Sequence, residues 1–346
     1  MARIAINGLG RIGRTFLKLA LEHPALDVVA ANDIADPNSL AYLLKYDSVY
    51  GRYTKAVGTD ARDGNTWLRL GEHRIRLLSE RDPGNLPWRA LNIDIVVEAT
   101  GAFDTYAAAR RHLDAGAAHV VLTAPTKDED VDDARTVLMG VNSEALRLTR
   151  ISSNGSCTTN SAASVVEVLR QRIGIQKAIL NTVHGYTATQ TLVDSPVRGG
   201  DLRRGRAAAA NIVPSTTGAA IAVARAIPEL RDRFDGVAMR VPVLTGSLSS
   251  IVLLAARPTS VEEINSALQD AAGDSRWSGV LATTADPLVS GDIVGDPHGA
   301  IVDLSLTKVI DGDLCAVYSW YDNEFGFTNT LLAHVVGAAR SLHATA

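Results

Sequence analysis

Residues 3–13 read Arg-Ile-Ala-Ile-Asn-Gly-Leu-Gly-Arg-Ile-Gly, and they are the most informative segment for the fold class of the first half of the chain. Its apolar start predicts a buried strand, and its end fits the Gly-x-Gly-x-x-Gly pattern that opens a helix. Asp33 follows Gly13 by 20 residues, at the end of the next predicted strand. Such glycines let the backbone approach a pyrophosphate, and the carboxylate binds ribose hydroxyls and repels a 2′-phosphate. The pattern predicts an NAD site at Gly8, Gly10, Gly13 and Asp33.

Strand-like and helix-like segments alternate over the first 155 residues. Several predicted strands carry Val and Ile on consecutive positions, as expected for parallel strands buried on both faces. This order predicts a Rossmann-type doubly wound parallel sheet in an α/β domain. The predicted strands are 3–7, 26–33, 93–99, 118–123, 136–141 and 149–153, and the predicted helices are 11–22, 37–46 and 104–115.

The second half has a different pattern, which predicts an α+β domain with a mostly antiparallel sheet and helices on one face. Asp311-Gly312 is a strong tight-turn signal between two strand-like runs. We place the domain boundary near Ser156, giving domains at 1–155 and 156–323. The predicted strands are 179–184, 236–241, 247–256, 301–308 and 314–322, and the predicted helices are 162–173, 216–227, 261–272 and 328–342.

Composition excludes several classes of function. The chain has 346 residues, a net charge of −4 and no long basic block, so we expect no nucleic-acid binding. No apolar run reaches the ~20 residues of a membrane span, and a strand begins at once, so we expect no membrane association and a cytoplasmic protein. The two cysteines form no disulfide framework, and Cys315 in a strand-like run is predicted to be core. No Cys/His/Asp spacing predicts a metal site.

Cys157 is the candidate nucleophile. It lies in Asn-Gly-Ser-Cys-Thr-Thr-Asn at 154–160, between an apolar stretch and a helix-like run. That order predicts a sulfur at or beside a helix N-terminus, where free N–H groups and the helix dipole favour a thiolate. The alternative is a small buried hydrophobic residue, which many free cysteines are.

His184 is the candidate base because it ends a strand-like run 27 residues after Cys157 and enters a loop rich in hydroxyls. Four other histidines in polar surroundings are predicted to be surface residues: His23, His73, His112 and His343. With a nicotinamide cofactor, a Cys–His pair fits the oxidation of an aldehyde through a thiohemiacetal and a thioester. A second nucleophile must then release the thioester.

If phosphate is that nucleophile, the site needs groups that bind anions. The chain offers Arg203-Arg204-Gly205-Arg206, Arg240 and Ser215-Thr216-Thr217-Gly218 at the head of a predicted helix. For two of the three clustered arginines, the alternative is a solvated face or salt bridges between subunits.

These motifs together resemble the glyceraldehyde-3-phosphate dehydrogenase family, in order over essentially the whole chain. The block Ser156-Cys157-Thr158-Thr159-Asn160 with the downstream His184-Gly185-Tyr186-Thr187 is highly specific. The further matching segments are Asn7 to Arg14, Leu44 to Ser48, Asp201 to Arg204, Pro214 to Ala220, Arg240 to Pro242 and Trp320 to Glu324.

The resemblance implies a role for each matching residue. Cys157 would be the nucleophile and His184 its base. Thr187 and Arg240 would bind the substrate phosphate, Arg204 being a further anion-binding candidate, and Ser156, Thr158, Thr217 and Gly218 would bind inorganic phosphate. Arg11, Ile12, Asp33, Arg81, Thr123 and Asn323 would hold NAD, with Asn323 fixing the nicotinamide amide.

The resemblance also implies an assembly. A loop from about 186 to 206 would contact a neighbouring subunit in a homotetramer, and its stretch Val197-Arg198-Gly199-Gly200 is about one residue longer than usual. The C-terminal helix, 324–346, would return to the nucleotide domain.

The resemblance implies the phosphorylating oxidation of glyceraldehyde 3-phosphate to 1,3-bisphosphoglycerate. Two alternatives remain at this stage. An erythrose-4-phosphate dehydrogenase would release its thioester with water, and it typically lacks the tyrosine that Tyr321 provides here. A non-catalytic redox-sensing protein of the same fold would not need Cys157, His184, Thr187 and Arg240 together.

Overall fold

The computed structural model describes residues 1–197 and 201–344. Residues 1–137, 142–155 and those from 331 onward form one compact unit, and residues 138–141 and 156–330 form a second. Within the described part of the chain, no helix is both long and apolar enough to cross a bilayer. The predicted loop stretch Arg198-Gly199-Gly200 lies outside the described residues.

The first unit contains a nine-stranded sheet in the order β10-β11-β9-β8-β1-β2-β7-β6-β5. All pairs from β10 to β7 are parallel, and β6 and β5 extend the sheet as an antiparallel meander. The strands are β1 Ala2–Asn7, β2 Leu26–Asn32, the separate pair β3 Tyr46–Asp47 and β4 Gly51–Arg52, β5 Val57–Arg62, β6 Asn65–Leu70, β7 His73–Leu78, β8 Ile95–Glu98, β9 His119–Leu122, β10 Ala134–Thr136 and β11 Ile151–Ser153.

Helices α1 Arg11–Ala20, α2 Pro37–Lys45 and α3 Tyr106–Asp114 also lie in this unit. The side chains of Asp36 and Thr105 cap α2 and α3 by accepting hydrogen bonds from N–H groups of the first turn. The parallel core of the sheet confirms the predicted Rossmann-type class. Val96 and Val97 are both fully buried, as expected for a strand covered on its two faces.

Two sequence predictions in this unit need correction. The predicted strand 136–141 is Ala134–Thr136, and residues 138–141 belong to the second unit. The meander β5–β7 was not predicted, because charged residues are frequent in it. One signal was present: Asp63-Gly64 joins β5 and β6 with φ of 52° and 72°, the left-handed conformation that tight hairpins require.

The second unit contains an eight-stranded sheet in the order β13-β14-β12-β15-β19-β17-β16, with β18 paired to β19. Among the strand pairs of the described residues in this sheet, β12–β14 and β16–β17 are parallel and the others antiparallel, which confirms the predicted mostly antiparallel sheet. The strands are β12 Ile175–Gly185, β13 Val213–Thr216, β14 Phe234–Val241, β15 Ser247–Ala255, β16 Leu281–Thr284, β17 Ala300–Asp303, β18 Lys308–Ile310 and β19 Leu314–Tyr321.

The helices that follow these strands in the chain are α4 Cys157–Arg172, α5 Ala219–Ala226, α6 Val261–Ala272 and α7 Phe325–Ala344. Residues of α4, α5 and α6 pack with one face of the sheet in a continuous apolar core. Cys315 is fully buried in that core, as predicted.

The predicted strand 301–308 is interrupted. Asp303 ends β17 and caps a short 3-10 turn at Leu304–Leu306 by accepting the N–H of Ser305. The shorter strand β18 then pairs with β19 through Asp311-Gly312, both with positive φ, so the predicted tight turn is present.

Candidate active site

The Gly-rich turn after β1 has the shape of a phosphate cradle. Gly8 has a φ of +97°, and a Cβ there would lie 2.7 Å from the carbonyl carbon of Ala99. A Cβ on Gly13 would lie 1.9 Å from the carbonyl oxygen of Gly8. Gly10 is the N-cap of α1, no side chain caps this helix, and a Cβ on Gly10 would meet nothing within 4 Å. The helix terminus is therefore open to an anionic ligand, and the turn fits a dinucleotide pyrophosphate.

Asp33 follows β2 and contacts this turn. Its Oδ2 accepts the N–H of Leu9 at 2.7 Å, and its Oδ1 accepts the N–H of Ala35 at 2.9 Å. The carboxylate therefore stands beside the Gly-rich turn and retains lone pairs for ribose hydroxyls. Arg81 and Thr123 follow β7 and β9. All these residues lie at the carboxyl ends of parallel strands, where open α/β sheets bind ligands.

Arg11 has protein partners of its own. Its guanidinium pairs with Asp47 and lies 5.6 Å from the centre of the Tyr50 ring. Ile12 follows in the first turn of α1. Asp47 and Tyr50 therefore hold the Arg11 side chain in place.

Below the turn lies a buried carboxylate, Glu98, that accepts four hydrogen bonds. The N–H and the hydroxyl of Thr100 donate to Oε1, while the Asn7 amide (2.6 Å) and His112 Nε2 (3.0 Å) contact Oε2. Asn7 directly precedes Gly8, and Thr100 directly follows Ala99, whose backbone packs against Gly8. Glu98 therefore joins the ends of β1 and β8 beneath the cradle.

His112 is not a surface residue, and that prediction was wrong. It is fully buried, and Trp88 Nε1 lies 2.9 Å from its Nδ1. Since the indole N–H can only donate, Nδ1 accepts and Nε2–H donates to Glu98. The prediction was based on the polar neighbours of His112 in the sequence. Burial depends instead on which side of α3 the residue occupies, and His112 lies on the buried side.

Cys157 and His184 are brought together in the second unit. Ser156 caps α4 by accepting the N–H of Thr159, so Cys157 is the first residue of the helix, which begins five residues before the predicted start at 162. The predicted position of the sulfur at a helix N-terminus is confirmed. The Cys157 Sγ lies 3.3 Å from His184 Nε2. His184 is near the end of β12 and is 3% exposed, whereas Cys157 is partly exposed. A nucleophile at a helix N-terminus in contact with an imidazole is the arrangement that thiolate catalysis requires.

The charges of this pair depend on each other. Burial raises the pKa of the Cys157 thiol, and the charge of Arg240 and hydrogen bonds to Thr158 oppose that effect. Burial, followed by the charge of Arg240, lowers the pKa of His184 to about 3. Either charge alone is therefore disfavoured, while a thiolate and an imidazolium formed together at 3.3 Å attract each other.

Arg240 contacts the pair directly. It lies opposite His184 where β12 and β14 run in parallel. Its Nη1 lies 2.6 Å from His184 Nδ1 and 3.3 Å from the Gly185 carbonyl oxygen. This places a cation beside the imidazole of the pair, where it can attract a substrate anion.

Tyr321 contacts this pair, although the sequence predicted no role in the site for it. Its hydroxyl lies 2.9 Å from Thr158 Oγ1 and 2.7 Å from Thr182 Oγ1, and its ring packs edge-on against His184. Tyr321 therefore joins β19 to the first turn of α4 and to β12. The Thr158 hydroxyl is engaged by this contact, and the Ser156 hydroxyl by its capping role.

The other predicted anion-binding residues have protein contacts. Arg204 donates to Asp201, to Thr189 and to the Ser215 hydroxyl. The Thr187 hydroxyl lies 3.0 Å from that of Thr189. Thr217 precedes Gly218, the N-cap of α5, which has no side-chain cap. No group of three or more His, Cys, Asp or Glu in the described ranges is arranged to hold a metal ion.

Comparison with known proteins gives consistent matches over both halves. Residues 2–106 match the family model described as glyceraldehyde 3-phosphate dehydrogenase, NAD binding domain, and residues 156–323 match that of the C-terminal domain. The chain is 45% identical over 347 residues to glyceraldehyde-3-phosphate dehydrogenase of Mycobacterium tuberculosis strain H37Rv, covering 98% of this chain and 99% of that protein. It is 44% identical over 337 residues to that of Streptomyces coelicolor, covering 95% and 96%.

Proposed function

The chain belongs to the glyceraldehyde-3-phosphate dehydrogenase family, and we propose that it oxidises glyceraldehyde 3-phosphate to 1,3-bisphosphoglycerate with NAD and inorganic phosphate. The observation that supports this most directly is the 3.3 Å contact between Cys157 Sγ and His184 Nε2, with Arg240 beside it. An aldehyde that carries a phosphate group meets a nucleophile, a base and a cation in one place.

Cys157 attacks the aldehyde carbon as a thiolate while His184 Nε2 holds the thiol proton. The imidazolium gives this proton to the carbonyl oxygen, so a thiohemiacetal forms on the sulfur. Nε2 accepts the hydroxyl proton again when the carbon is oxidised to the thioester. NAD, when bound, supplies the acceptor for the hydride that this carbon loses. Inorganic phosphate then cleaves the thioester and frees the thiolate.

We assign the cofactor to the Gly-rich turn of the first unit. Gly8, Gly10 and Gly13 would receive the pyrophosphate at the start of α1, and Asp33 would bind the adenosine ribose. The remaining assigned residues follow the family pattern: Arg11, Ile12, Arg81, Thr123 and Asn323. The steric fit of Gly8 and Gly13 and the open N-terminus of α1 support this assignment.

We assign the substrate phosphate to Arg240 and Thr187, with Arg204 nearby. Arg204 donates to Ser215 on β13, the strand that pairs with β14, which carries Arg240. One cation bonded to β13 and another on β14 favour the binding of a phosphate. The attacking phosphate is assigned to Ser156, Thr158, Thr217 and Gly218. The bonded Thr158 and Ser156 hydroxyls favour contacts through the N–H groups at the start of α4.

The domain assignment follows the same division of roles. We propose a nucleotide domain at 1–155 joined by the C-terminal helix 324–346, and a catalytic domain at 156–323. We also propose a homotetramer acting in the cytoplasm, where its sugar-phosphate substrate would be found, without nucleic-acid or membrane partners. Apolar side chains exposed on one face of the second unit's sheet support the assembly: Ile179, Val183 and Met239 are each at least 38% exposed.

A steady-state assay with and without inorganic phosphate or arsenate tests the function. We expect NAD reduction with glyceraldehyde 3-phosphate to depend on either anion. Turnover that is independent of both anions and faster with erythrose 4-phosphate would favour the alternative dehydrogenase. A purified, NAD-binding protein without turnover on either aldehyde would favour a redox-sensing role.

A further inference from the structure

Asn323, directly after β19 and Asp322, has an orientation that its neighbours determine. Its Oδ1 accepts hydrogen bonds from Gly246 N (3.1 Å), Ser247 Oγ (3.0 Å) and Thr245 Oγ1 (3.3 Å). Because a backbone N–H can only donate, the atom facing these groups is the amide oxygen. The amide nitrogen of Asn323 therefore faces away from them, and within residues 1–197 and 201–344 it has no hydrogen-bond partner.

Ser247, the first residue of β15, connects Asn323 to the catalytic base. Its side chain is buried, and its oxygen also lies 3.3 Å from the backbone N of Gly185. A hydroxyl has one proton, which goes to Asn323 Oδ1, and its lone pairs accept the Gly185 N–H. Gly185 in turn follows His184, and its carbonyl oxygen lies 2.6 Å from His184 Nδ1.

The turn that delivers these donors has little freedom. Gly246 has a φ of +93°, and a Cβ there would lie 2.4 Å from the carbonyl oxygen of Ser290. The backbone at 246 is thus held against the segment around Ser290, and its N–H stays aimed at Asn323. Three donors on a rigid turn leave Asn323 one orientation, with its two N–H groups available for an acceptor.

We propose that Ser247 is a positioning residue that holds the Asn323 amide and the backbone beside His184 in one hydrogen-bonded unit. Through it, Asn323 presents N–H donors and so selects a ligand with a carbonyl acceptor. This inference depends on the proposed function, which makes that acceptor the carboxamide oxygen of the nicotinamide. Ser247 acts through Asn323 and Gly185.

Ser249 provides a matched control on the same strand. It lies two residues further along β15, hence on the same face, and is fully buried like Ser247. Unlike Ser247, its hydroxyl has no hydrogen-bond partner in the part of the chain that the structure describes. Ser249→Ala therefore removes a buried hydroxyl of the same kind without touching Asn323.

Calorimetric titration with NAD and with ADP-ribose, which lacks the nicotinamide, tests the proposal. For Ser247→Ala we expect the Kd for NAD to rise about 3- to 10-fold, the effect of one hydrogen bond, with the Kd for ADP-ribose unchanged. Ser249→Ala is expected to change neither Kd. An unchanged Kd for NAD in Ser247→Ala, or an equal loss for ADP-ribose, would overturn the proposal. If the unmodified protein does not bind NAD, the proposed function fails instead.

The link to His184 has its own readout. The rate of Cys157 alkylation by iodoacetamide, measured against pH without cofactor, reports the thiolate that the pair can form. We expect Ser247→Ala to move the midpoint of this profile, because the Gly185 N–H loses its acceptor, and Ser249→Ala to leave it in place. A midpoint unchanged in both variants would overturn the connection between Ser247 and His184.

Discussion

At the scale of single residues, the charges of Cys157 and His184 depend on the contact between the two side chains. Burial disfavours a lone thiolate and a lone imidazolium, and the effect appears in both pKa shifts. Since the two atoms lie 3.3 Å apart, proton transfer between them creates both charges at once, each in contact with its counter-charge. Replacing one partner therefore leaves the other without the contact that permits its charge.

Cys157→Ser is the first prediction. We expect this variant to fold, to bind NAD and to lose essentially all turnover, because a serine hydroxyl has a pKa far above the ~8.5 of a free thiol. Steady-state kinetics together with NAD titration measure this. Iodoacetamide is expected to modify Cys157 well before the fully buried Cys315.

His184→Asn serves as the companion variant. It is expected to slow the chemical step by about 10²–10⁴, the range for a positioned general base. An active serine variant, or equal alkylation rates for the two cysteines, would contradict the mechanism.

Asp33→Ala is the second prediction, and it concerns cofactor choice. The unmodified enzyme is expected to prefer NAD over NADP by at least ~10-fold in kcat/KM, because a carboxylate repels a 2′-phosphate. The variant should have a smaller NAD/NADP ratio, mainly because its kcat/KM for NAD falls. Since Asp33 also accepts the Leu9 N–H, some loss with both cofactors is expected. Glu72→Ala changes an exposed acidic residue and is the control. Equal kcat/KM values for NAD and NADP in the unmodified enzyme would contradict the assignment.

At the scale of elements, a buried chain of polar side chains joins β9, β11 and α7 in the first unit. His119 Nε2 lies 2.8 Å from Ser152 Oγ, which lies 2.7 Å from His334 Nε2, and His334 Nδ1 lies 3.2 Å from Asn154 Oδ1. Burial, then the charge of Arg150, lowers the pKa of His119 to about 4. Burial, then His119, lowers that of His334 to about 3.

Acid sensitivity is the third prediction. Well above pH ~6.5, the ordinary pKa of histidine, both histidines are neutral whether the chain is folded or unfolded, so they add no pH dependence. Below that pH the unfolded chain binds protons that the folded chain excludes down to about pH 4 for His119 and about pH 3 for His334. Stability is therefore expected to fall with acid, by on the order of 1 kcal/mol per pH unit for each histidine.

Thermal melting between pH 7.5 and 5 at fixed protein concentration measures this loss. His119→Gln and His334→Gln are expected to flatten the dependence of Tm on pH, whatever their Tm at pH 7.5. His73→Gln, at an exposed site, is the control and should leave the slope unchanged. A slope equal to that of the unmodified protein in both buried variants would refute the prediction.

At the scale of the whole molecule, the sheet of the second unit exposes apolar side chains on the face opposite the one that packs with α4, α5 and α6. Along β12, Leu180 and Thr182 are buried while Ile179 and Val183 are exposed, and Met239 on β14 is exposed as well. This period-two alternation gives one face to the apolar core and leaves apolar side chains on the other. An exposed apolar face of this kind is typical of an interface between proteins.

A homotetramer is the fourth prediction, with this sheet face in an interface. Light scattering of the unmodified protein is expected to give four times the chain mass of 36.7 kDa. Ile179→Asp should weaken the assembly, because a charge would be buried without a partner. Ile221→Asp, at an exposed position of α5, is the control. A fully active monomer would refute the prediction.

Sequence patterns were enough to predict the Rossmann-type class and the mostly antiparallel second sheet, and they singled out Cys157 and His184 as the candidate nucleophile and base. Those inferences depend on local information: hydrophobic periodicity, glycines in tight turns and a cysteine before a helix. Cys157 at the start of α4 needed only the order of its neighbours in the chain.

The pairing of the polar groups, in contrast, became visible in the three-dimensional structure. His112 is buried and bonded to Glu98. The Tyr321 hydroxyl contacts that of Thr158, 163 residues away in the sequence, and Ser247 donates to Asn323, 76 residues away. The structure also contains β5–β7, strands rich in charge, which the predicted pattern of buried strands did not include. A hydrogen bond between distant segments leaves no periodic trace in the sequence, because its two partners are selected by their position in space after the strands have paired.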